Sequence, residues 1–164
     1  MSRSLGPALP PDLLARFSQA DLPSLLGRGM PFVTLGADGS LHPMLCTYLE
    51  WLAVDARTLR LAINGESRSA RNLEARNVGT LLLIEPGRTI YIKTRASGPA
   101  LRLGRLARFS LAVEDVLEDT PDESEGDVRI VSGITYAPPP TLDDAWVREV
   151  LATLRAEPPD AGAR

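Results

Sequence analysis

The sequence predicts a small, closed, antiparallel β-barrel with short helices at its flanks. Three observations indicate this class: apolar residues alternate along most of the middle of the chain, tight-turn residues separate these runs, and helical patterns are confined to the ends and one short central segment. Six predicted strands fit a closed barrel better than a sandwich. With 164 residues, 44% of them hydrophobic, the chain can form one core in a single domain, 1–164.

The N-terminal part is predicted to contain two short helices before the first strand. These helices cover residues 11–17 and 20–29, with Asp21 as an N-cap and Gly27 or Gly29 as a stop signal. Segments 1–10 and 158–164 are rich in proline and in small or polar residues, so we expect both ends of the domain to be frayed.

The first three predicted strands are consecutive and antiparallel. They cover residues 31–35, 42–52 and 57–64. The dipeptide Asp38-Gly39 between the first two is a strong hairpin signal. Strands joined by such short connections usually pair with each other, which predicts an antiparallel meander.

The second half of the chain alternates one short helix, three strands and a final helix. The predicted ranges are 69–77 (helix), 79–86, 89–97 and 106–119 (strands) and 141–157 (helix). The strand at 79–86 is almost continuously apolar, which predicts cover on both of its faces. Thr141, followed three residues later by Asp144, resembles a capping box at the start of the last helix.

Composition excludes several classes of protein. A formal charge of −3 argues against a general nucleic-acid binder, and the single cysteine and single histidine exclude an internal disulfide and a Cys/His metal framework. The chain shows no signal-peptide pattern and no membrane-spanning run, which predicts a cytoplasmic protein. Cys46 lies in an apolar run and is expected to be a buried, inert thiol.

Charge is unevenly distributed along the second half of the chain. Segment 88–108 holds six cations and no carboxylate, whereas 114–127 holds eight carboxylates and no cation. The simplest interpretation is a solvated acidic loop beside a solvated basic strand pair.

The order of these segments resembles a known superfamily. The motifs are PFVTLGADGSLHPML, LRLAINGESRSARNLEARNVGTLLLIE, IYIKTRAS and FSLAVEDVLED. Together they resemble the FMN-binding split-barrel superfamily, the pyridoxamine 5′-phosphate oxidase-like proteins. Ser67, Asn72, Leu73 and the Asp38-Gly39 turn correspond most closely in identity. The resemblance implies a six-stranded antiparallel split β-barrel, and a homodimer with FMN at the subunit interface.

The resemblance also implies which residues contact the cofactor. The flavin phosphate is expected near the turn after the third strand, and the ring is expected on the second and third strands. Lys93 is expected to reach the phosphate or a substrate carboxylate from the partner subunit. The phosphate candidates are Ser67, Arg68, Ser69, Arg71 and Asn72, and the ring candidates are Thr47, Tyr48, Ala62, Ile63 and Asn64.

Two details of segment 67–76, which contains the phosphate candidates, leave its role open. Ser69 stands where the superfamily usually places a lysine, and Arg68 and Arg71 flank that position. A purely structural alternative is that Ser67 is a helix N-cap while Arg68, Arg71 and Arg76 are solvated.

The function implied by the resemblance is that of a flavin-dependent oxidoreductase with an unknown small-molecule substrate. Two alternatives remain: a flavin-, deazaflavin- or haem-binding module without turnover, and a dimeric barrel without a cofactor. His42 is a candidate proton donor near a flavin or a solvated strand residue, and Trp51 and Trp146 are expected in the core or a dimer interface. No residue set identifies a catalytic nucleophile or a metal site.

Overall fold

The computed structural model describes residues 2–122, 124, 126 and 129–157. Short 3₁₀ helices cover Leu22–Leu25 and Tyr48–Glu50. The α-helices are α1 (Pro11–Phe17), α2 (Arg68–Arg76) and α3 (Ala145–Arg155). The strands are β1 (Ser2–Gly6), β2 (Arg28–Leu35), β3 (Leu41–Thr47), β4 (Trp51–Asp55), β5 (Thr58–Asn64), β6 (Val78–Glu85), β7 (Arg88–Ala96), β8 (Leu101–Leu103), β9 (Leu106–Asp119) and β10 (Ile134–Thr135). Among these residues, no helix combines the length and apolar content that spanning a membrane requires.

The strands form one antiparallel sheet that curves around a single main core. Its central order is β10-β2-β6-β7-β9-β5-β4, with β3 added to β2 and with β1 and β8 added to β9. Strand β9 organises the sheet because its first half pairs with β5 and its second half with β7. The predicted fold class, mainly β with flanking helices in a split barrel, is confirmed. The sheet has ten strands rather than the predicted six, because the run 42–52 is divided in two and the short strands β1, β8 and β10 are added.

Three aromatic rings lie at the centre of the core. The Trp51 ring contacts Phe32 edge-on, with 5.1 Å between ring centroids, and contacts Phe17 at 6.4 Å. All three side chains are fully buried. Offset and edge-on aromatic contacts of this kind add to the free energy gained by burying the apolar area. The prediction that Trp51 fills the core is confirmed.

The predicted strand at 42–52 is interrupted, and here the sequence prediction was wrong. The chain leaves β3 at Thr47, makes a 3₁₀ turn over Tyr48–Glu50 and enters β4 at Trp51. A capping box causes the break: the Thr47 hydroxyl accepts a hydrogen bond from the Leu49 N–H at 3.2 Å, and the Glu50 carboxylate accepts one from the Thr47 N–H at 2.7 Å. Hairpin pairing is therefore divided between β2 with β3 and β4 with β5.

The N-terminal segment differs from the expected frayed end. Residues 2–6 form strand β1 on the second half of β9, with Ser2 opposite Asp119. The Ser4 hydroxyl donates to the Asp115 carboxylate at 2.6 Å, and Arg3 pairs with Glu118 at 2.8 Å. Because β9 extends beyond the end of β5, its backbone groups offer an edge that β1 satisfies. The predicted frayed segment 158–164 lies outside the described residues.

The predicted helices at 20–29 and 141–157 are shorter in the structure, whereas α1 (Pro11–Phe17) has its predicted bounds. The pattern at 20–29 gives only a single 3₁₀ turn, in which Asp21 occupies the N-cap position without a side-chain hydrogen bond. The last helix begins at Ala145 rather than at Thr141, because the Asp144 carboxylate accepts a hydrogen bond from the Thr141 N–H at 3.0 Å before the helix starts.

Helix α3 is held against β5 and β9 at its C-terminal end. Arg60 donates a hydrogen bond to the Leu154 carbonyl at 3.0 Å, and Arg108 donates to the Ala156 carbonyl. Guanidinium groups at this end satisfy carbonyls that lack partners within the helix and also favour the helix dipole. The other end of α3 presents Trp146, which is 39% exposed rather than buried in the core.

Candidate functional site

The turn from β5 into helix α2 creates a set of unpaired backbone donors. Ser67 is the N-cap of α2, and its hydroxyl accepts a hydrogen bond from the Ala70 N–H at 3.1 Å. The Asn64 side chain accepts from the Glu66 N–H at 2.9 Å. Within the described chain, the N–H groups of Arg68 and Ser69 have no acceptor. The structural interpretation of Ser67 as an N-cap is confirmed, and the first turn of α2 still offers two donors to a ligand.

A cavity of about 360 Å³ opens beside this turn, and we name it the Ser69 cavity. The Ser69 residue is only 1% exposed, and its hydroxyl makes no hydrogen bond with any described residue. Its oxygen is not one of the fully enclosed polar atoms without a partner, which among the described residues are Trp51 Nε1 and Arg108 Nε. The Ser69 hydroxyl is therefore open to the cavity and available to a ligand. The lining residues are His42, Met44, Glu50, Ala62, Ile63, Asn64, Ser67, Ser69, Arg105, Leu106, Trp146 and Val150.

Five of the predicted site residues lie together in this cavity. Ala62, Ile63 and Asn64 are the last three residues of strand β5, and Ser67 and Ser69 lie at the start of α2. Thr47 does not line the cavity itself but holds Glu50, which does. The cavity therefore joins the predicted ring platform to part of the predicted phosphate turn.

The arginines predicted for the phosphate face a different cavity on the other side of α2. Arg68 pairs with Asp38 at 3.9 Å, and Arg71 donates to the Glu66 carbonyl at 2.5 Å. Hydrogen bonds from Ser40 lower the pKa of Asp38. This Arg71 cavity, as we name it, has a volume of about 560 Å³ and is lined by Gly36, Ala37, Asp38, Arg68, Arg71, Asn72 and Ala75.

Asn72 is a structural residue as well as a lining one. Its amide donates a hydrogen bond to the Thr34 hydroxyl at 3.0 Å, and both side chains are buried. This bond connects α2 to β2. Asn72 therefore has a partner within the protein, whereas Ser69 has none.

Tyr48 and Lys93 lie outside the Ser69 cavity. Tyr48 packs on Phe17 with 5.2 Å between ring centroids, and burial raises the pKa of its hydroxyl. Lys93 is exposed on the outer face of the sheet, opposite Thr80 in the β6–β7 register, and no ion pair joins it to a described residue. The described chain does not bring either residue to the cavity that contains Ser69.

Glu50 is the functional candidate that sequence reasoning missed. Its side chain lines the Ser69 cavity, while one carboxylate oxygen accepts hydrogen bonds from the Thr47 hydroxyl at 2.6 Å and the Thr47 N–H at 2.7 Å. Burial raises the pKa of Glu50, although the two hydrogen bonds from Thr47 act in the opposite direction. The capping-box spacing Thr47-x-x-Glu50 was the signal that could have located this residue.

The basic stretch at 88–108 is largely neutralised by ion pairs. Arg88 contacts Asp12 at 2.6 Å and Glu118 at 3.3 Å, and Arg105 contacts Glu149 at 3.0 Å. Arg95 pairs with Glu114, and Arg102 pairs with Glu74. The carboxylates come from several elements, so the expected solvated basic strand pair is instead a paired surface. Within the acidic segment 114–127, residues 123, 125, 127 lie outside the described residues.

Cys46 and His42 lie on the same face of strand β3, where Cys46 is buried and His42 is half-buried. Cys46 is fully buried, and burial raises the pKa of its thiol well above the usual range, which makes it inert. His42 points to the Ser69 cavity from β3. Of these two residues, only His42 is placed to contact a ligand.

One sheet surface remains apolar and uncovered by the chain itself. Leu41 is 72% exposed and Leu45 is 46% exposed on the outer face of edge strand β3. The register continues this surface through Val33 on β2, which lies opposite Pro43 and Thr80. The apolar strand β6 is therefore covered on its inner face by the core but not on its outer face.

The fold matches solved structures with low sequence identity. PhzG from Burkholderia lata 383, solved in complex with tetrahydrophenazine-1-carboxylic acid, aligns with a TM-score of 0.54 and 14% identity over 79% of this chain and 94% of PhzG. An FMN-binding protein from Syntrophomonas wolfei aligns with a TM-score of 0.52 and 10% identity over 68% of this chain and 89% of that protein. A Lactobacillus delbrueckii protein proposed to be a pyridoxamine 5′-phosphate oxidase aligns with a TM-score of 0.52 and 11% identity, over 70% of this chain and 98% of that protein.

No family model matches the sequence, and no curated protein matches it in a sequence search. The structural matches nevertheless define the architecture: the chain has the FMN-binding split-barrel fold. The resemblance inferred from motif order is thereby confirmed at the level of the fold. Because fold does not determine function, the activity has to be argued from the site.

Proposed function

We propose that this protein binds FMN in the Ser69 cavity, between two copies of the chain, and is a flavin-dependent oxidoreductase acting on a small molecule. The observation that carries the proposal is the Ser69 hydroxyl, which bonds to no described residue and opens into the cavity, next to two unpaired N–H groups at the start of α2. Hydroxyl and first-turn amide donors suit an anionic group such as a phosphate.

The same cavity has features that suit a flat ring. Ala62 and Ile63 supply an apolar strand surface, and Trp146 lies at the edge of the cavity on α3. A mainly apolar lining with a few polar groups is typical of cofactor sites. A bound flavin would supply the redox chemistry, while the chain's own residues would orient it and exclude water.

The cavity offers neutral donors to a phosphate but little positive charge. Arg105 is the only arginine or lysine among the described lining residues, and it already pairs with Glu149 at 3.0 Å. Glu50 adds a negative group to the same cavity. We therefore expect the ring and the neutral donors to provide most of the binding free energy, and the phosphate to provide little.

Dimer formation is part of the proposal because an uncovered apolar sheet surface is costly in water. The outer faces of β2, β3 and β6 form that surface, with Leu41 and Leu45 its most exposed members. Contiguous exposed apolar patches of this kind usually mark interaction sites. A second copy of the chain would cover this surface through a symmetric contact.

The direct test of cofactor binding is the visible absorption spectrum of the purified protein, followed by release and identification of the chromophore. We expect a flavin spectrum or, for protein purified without cofactor, quenching of flavin fluorescence on titration with FMN at micromolar concentration. A colourless protein that leaves the FMN spectrum unchanged would contradict the proposal. NAD(P)H oxidation by the loaded protein would then test turnover.

The direct test of dimer formation is light scattering on the wild type and on Leu45→Glu. We expect a dimer for the wild type and a monomer for Leu45→Glu, because the new charge would be buried in the contact. Val54→Glu is a matched control, since Val54 is 51% exposed on β4, away from β3. A wild-type monomer would contradict the two-copy site.

A cofactor-binding module without turnover is the second candidate, and a specific observation favours it. Ser69 replaces the lysine of the superfamily pattern, and the arginines that could compensate face the Arg71 cavity. Such a protein would bind a flavin, a deazaflavin or haem as a sensor or carrier. Cofactor binding without NAD(P)H oxidation across a panel of small substrates would support this candidate over the oxidoreductase.

A further inference from the structure

The Glu50 carboxylate lies in the Ser69 cavity in a fixed position. One of its oxygens accepts two hydrogen bonds from Thr47, one from the backbone N–H at 2.7 Å and one from the hydroxyl at 2.6 Å. The 3₁₀ turn between β3 and β4 sets the position of its backbone. The carboxylate is therefore held by both the turn and its cap, so its second oxygen has a defined place at the cavity.

The second oxygen is left without a partner. No described residue donates a hydrogen bond to it, and no described cation forms an ion pair with Glu50. Arg105, which lines the same cavity, is paired with Glu149 instead. A half-buried carboxylate without a cation is costly, and burial accordingly raises the pKa of Glu50.

An ionisable side chain that lowers the free energy of unfolding is found in a cavity more often at a binding site than in a purely structural position. The capping role needs only one oxygen, which a glutamine could provide equally well. The unpartnered oxygen is an acceptor, so its complement must be an N–H or O–H donor on the ligand. An oxidised flavin ring has a single N–H group, at N3.

We propose that Glu50 is a ligand-binding residue that accepts a hydrogen bond from the N3–H group of the flavin ring. The inference rests on the proposed flavin binding and extends it, because it identifies which edge of the ring enters the cavity. It also explains how a cavity with little positive charge can hold a flavin: the ring edge, rather than the phosphate, makes the charge-assisted bond.

The test compares riboflavin with N3-methylriboflavin, whose N3 position cannot donate, for the wild type and Glu50→Gln. In Glu50→Gln the amide carbonyl can keep both Thr47 contacts, which leaves an NH₂ group facing the ligand. We expect the substitution to weaken riboflavin binding about tenfold, the lower end of the range for a hydrogen bond to a charged group. Binding of N3-methylriboflavin should change less than about twofold, which is close to the error of such comparisons.

Glu66→Gln is the matched control, because Glu66 is exposed on the adjacent β5–α2 connection and does not line the cavity. It should leave both affinities unchanged. If the wild type binds neither flavin, both this inference and the proposed function are overturned. If the wild type binds and Glu50→Gln matches it, or weakens both ligands equally, only the contact from N3–H to Glu50 is overturned.

Discussion

Helix α2 separates two cavities that differ in how far their polar groups are already satisfied. In the Arg71 cavity, Arg68 is paired with Asp38 and Arg71 is bound to the Glu66 carbonyl. In the Ser69 cavity, the Ser69 hydroxyl and one Glu50 oxygen have no partner among the described residues. In the Arg71 cavity, which has more positive charge, the arginines already have partners within the protein. The Ser69 cavity has polar groups without partners and is the better candidate for a ligand.

This difference shows why counting arginines near a turn is a poor guide to an anion site. Residues three apart on a helix share a face, so Arg68 and Arg71 point together, but that face is not the one with Ser69. A guanidinium that already has a partner contributes less to a new ligand. Four experiments test the comparison, and they are ordered from the largest expected effect to the smallest.

The largest effect is expected from Ser69→Lys, which restores the cation of the superfamily pattern. A lysine here would make a charge-assisted contact with the phosphate, and FMN affinity should rise about 10- to 100-fold. Riboflavin, which lacks the phosphate, should bind as it does to the wild type. Both affinities are measured by flavin fluorescence titration.

Ala75→Lys is the matched control for that experiment, because it adds the same charge on the side of α2 that lines the Arg71 cavity. It should leave FMN affinity unchanged. Equal tightening by the two lysines would mean that the phosphate does not lie in the Ser69 cavity.

The second-largest effect is a difference in thermal stability between alanine variants of Ser67 and Ser69. Ser67→Ala removes the N-cap hydrogen bond to the Ala70 N–H and should destabilise the protein by about 1 kcal/mol. For a chain of this size that corresponds to a decrease in Tm of roughly 2–4 °C in thermal unfolding. Ser69→Ala should leave Tm unchanged or slightly higher, since its hydroxyl has no partner to lose. A decrease in Tm for Ser69→Ala would mean that this hydroxyl supports the fold.

The third effect concerns the pH dependence of stability. Because the pKa of Glu50 is raised in the folded state, the folded protein retains a proton that the unfolded chain has lost, above the ordinary value of about 4.3. Its contribution to the free energy of unfolding therefore falls as pH rises through the window between the ordinary and the raised pKa. Glu50→Gln does not titrate, so its Tm should exceed that of the wild type at pH 7, and the difference should shrink towards pH 4. Glu66→Gln, at an exposed position, should show no such trend.

The smallest effect is expected from Arg71→Ala. Its guanidinium is exposed and bound to the Glu66 carbonyl, so FMN affinity should stay within about twofold of the wild type, the usual scatter for a distant site. Fluorescence titration measures this directly. A loss of tenfold or more would place Arg71 at the phosphate and reverse the comparison between the cavities.

The sequence predicted the positions of most strands along the chain and the helix between β5 and β6 well, because hydrophobic periodicity and turn residues act locally. The long strand Leu106–Asp119 and the hairpin at Asp38-Gly39 are examples. The prediction was weaker at the break after Thr47, because the run 42–52 is apolar enough to read as one strand. The capping box there was readable in the sequence, but β-type periodicity was given more weight.

Strand β1 could not be predicted from local pattern, since residues 2–6 become ordered only by pairing with β9. The same holds for Trp146, whose position depends on how α3 lies against β5 and β9. Both depend on contacts between elements that are far apart in the chain, which no short window of sequence contains.

By itself, the sequence determined the fold class and the identity of the turn that ends in Ser67, because both follow from short-range patterns of apolar and turn residues. The tertiary structure alone decided which polar groups share a cavity. Glu50 and Ser69 meet there because a capped turn between β3 and β4 and the first turn of α2 both close over β5, while the same helix carries Arg68 and Arg71 to its other side. Side-chain direction on a helix and the closure of a sheet are set by packing over the whole chain. That packing places Arg68 and Arg71 beside partners within the protein and leaves the Ser69 hydroxyl without one among the described residues.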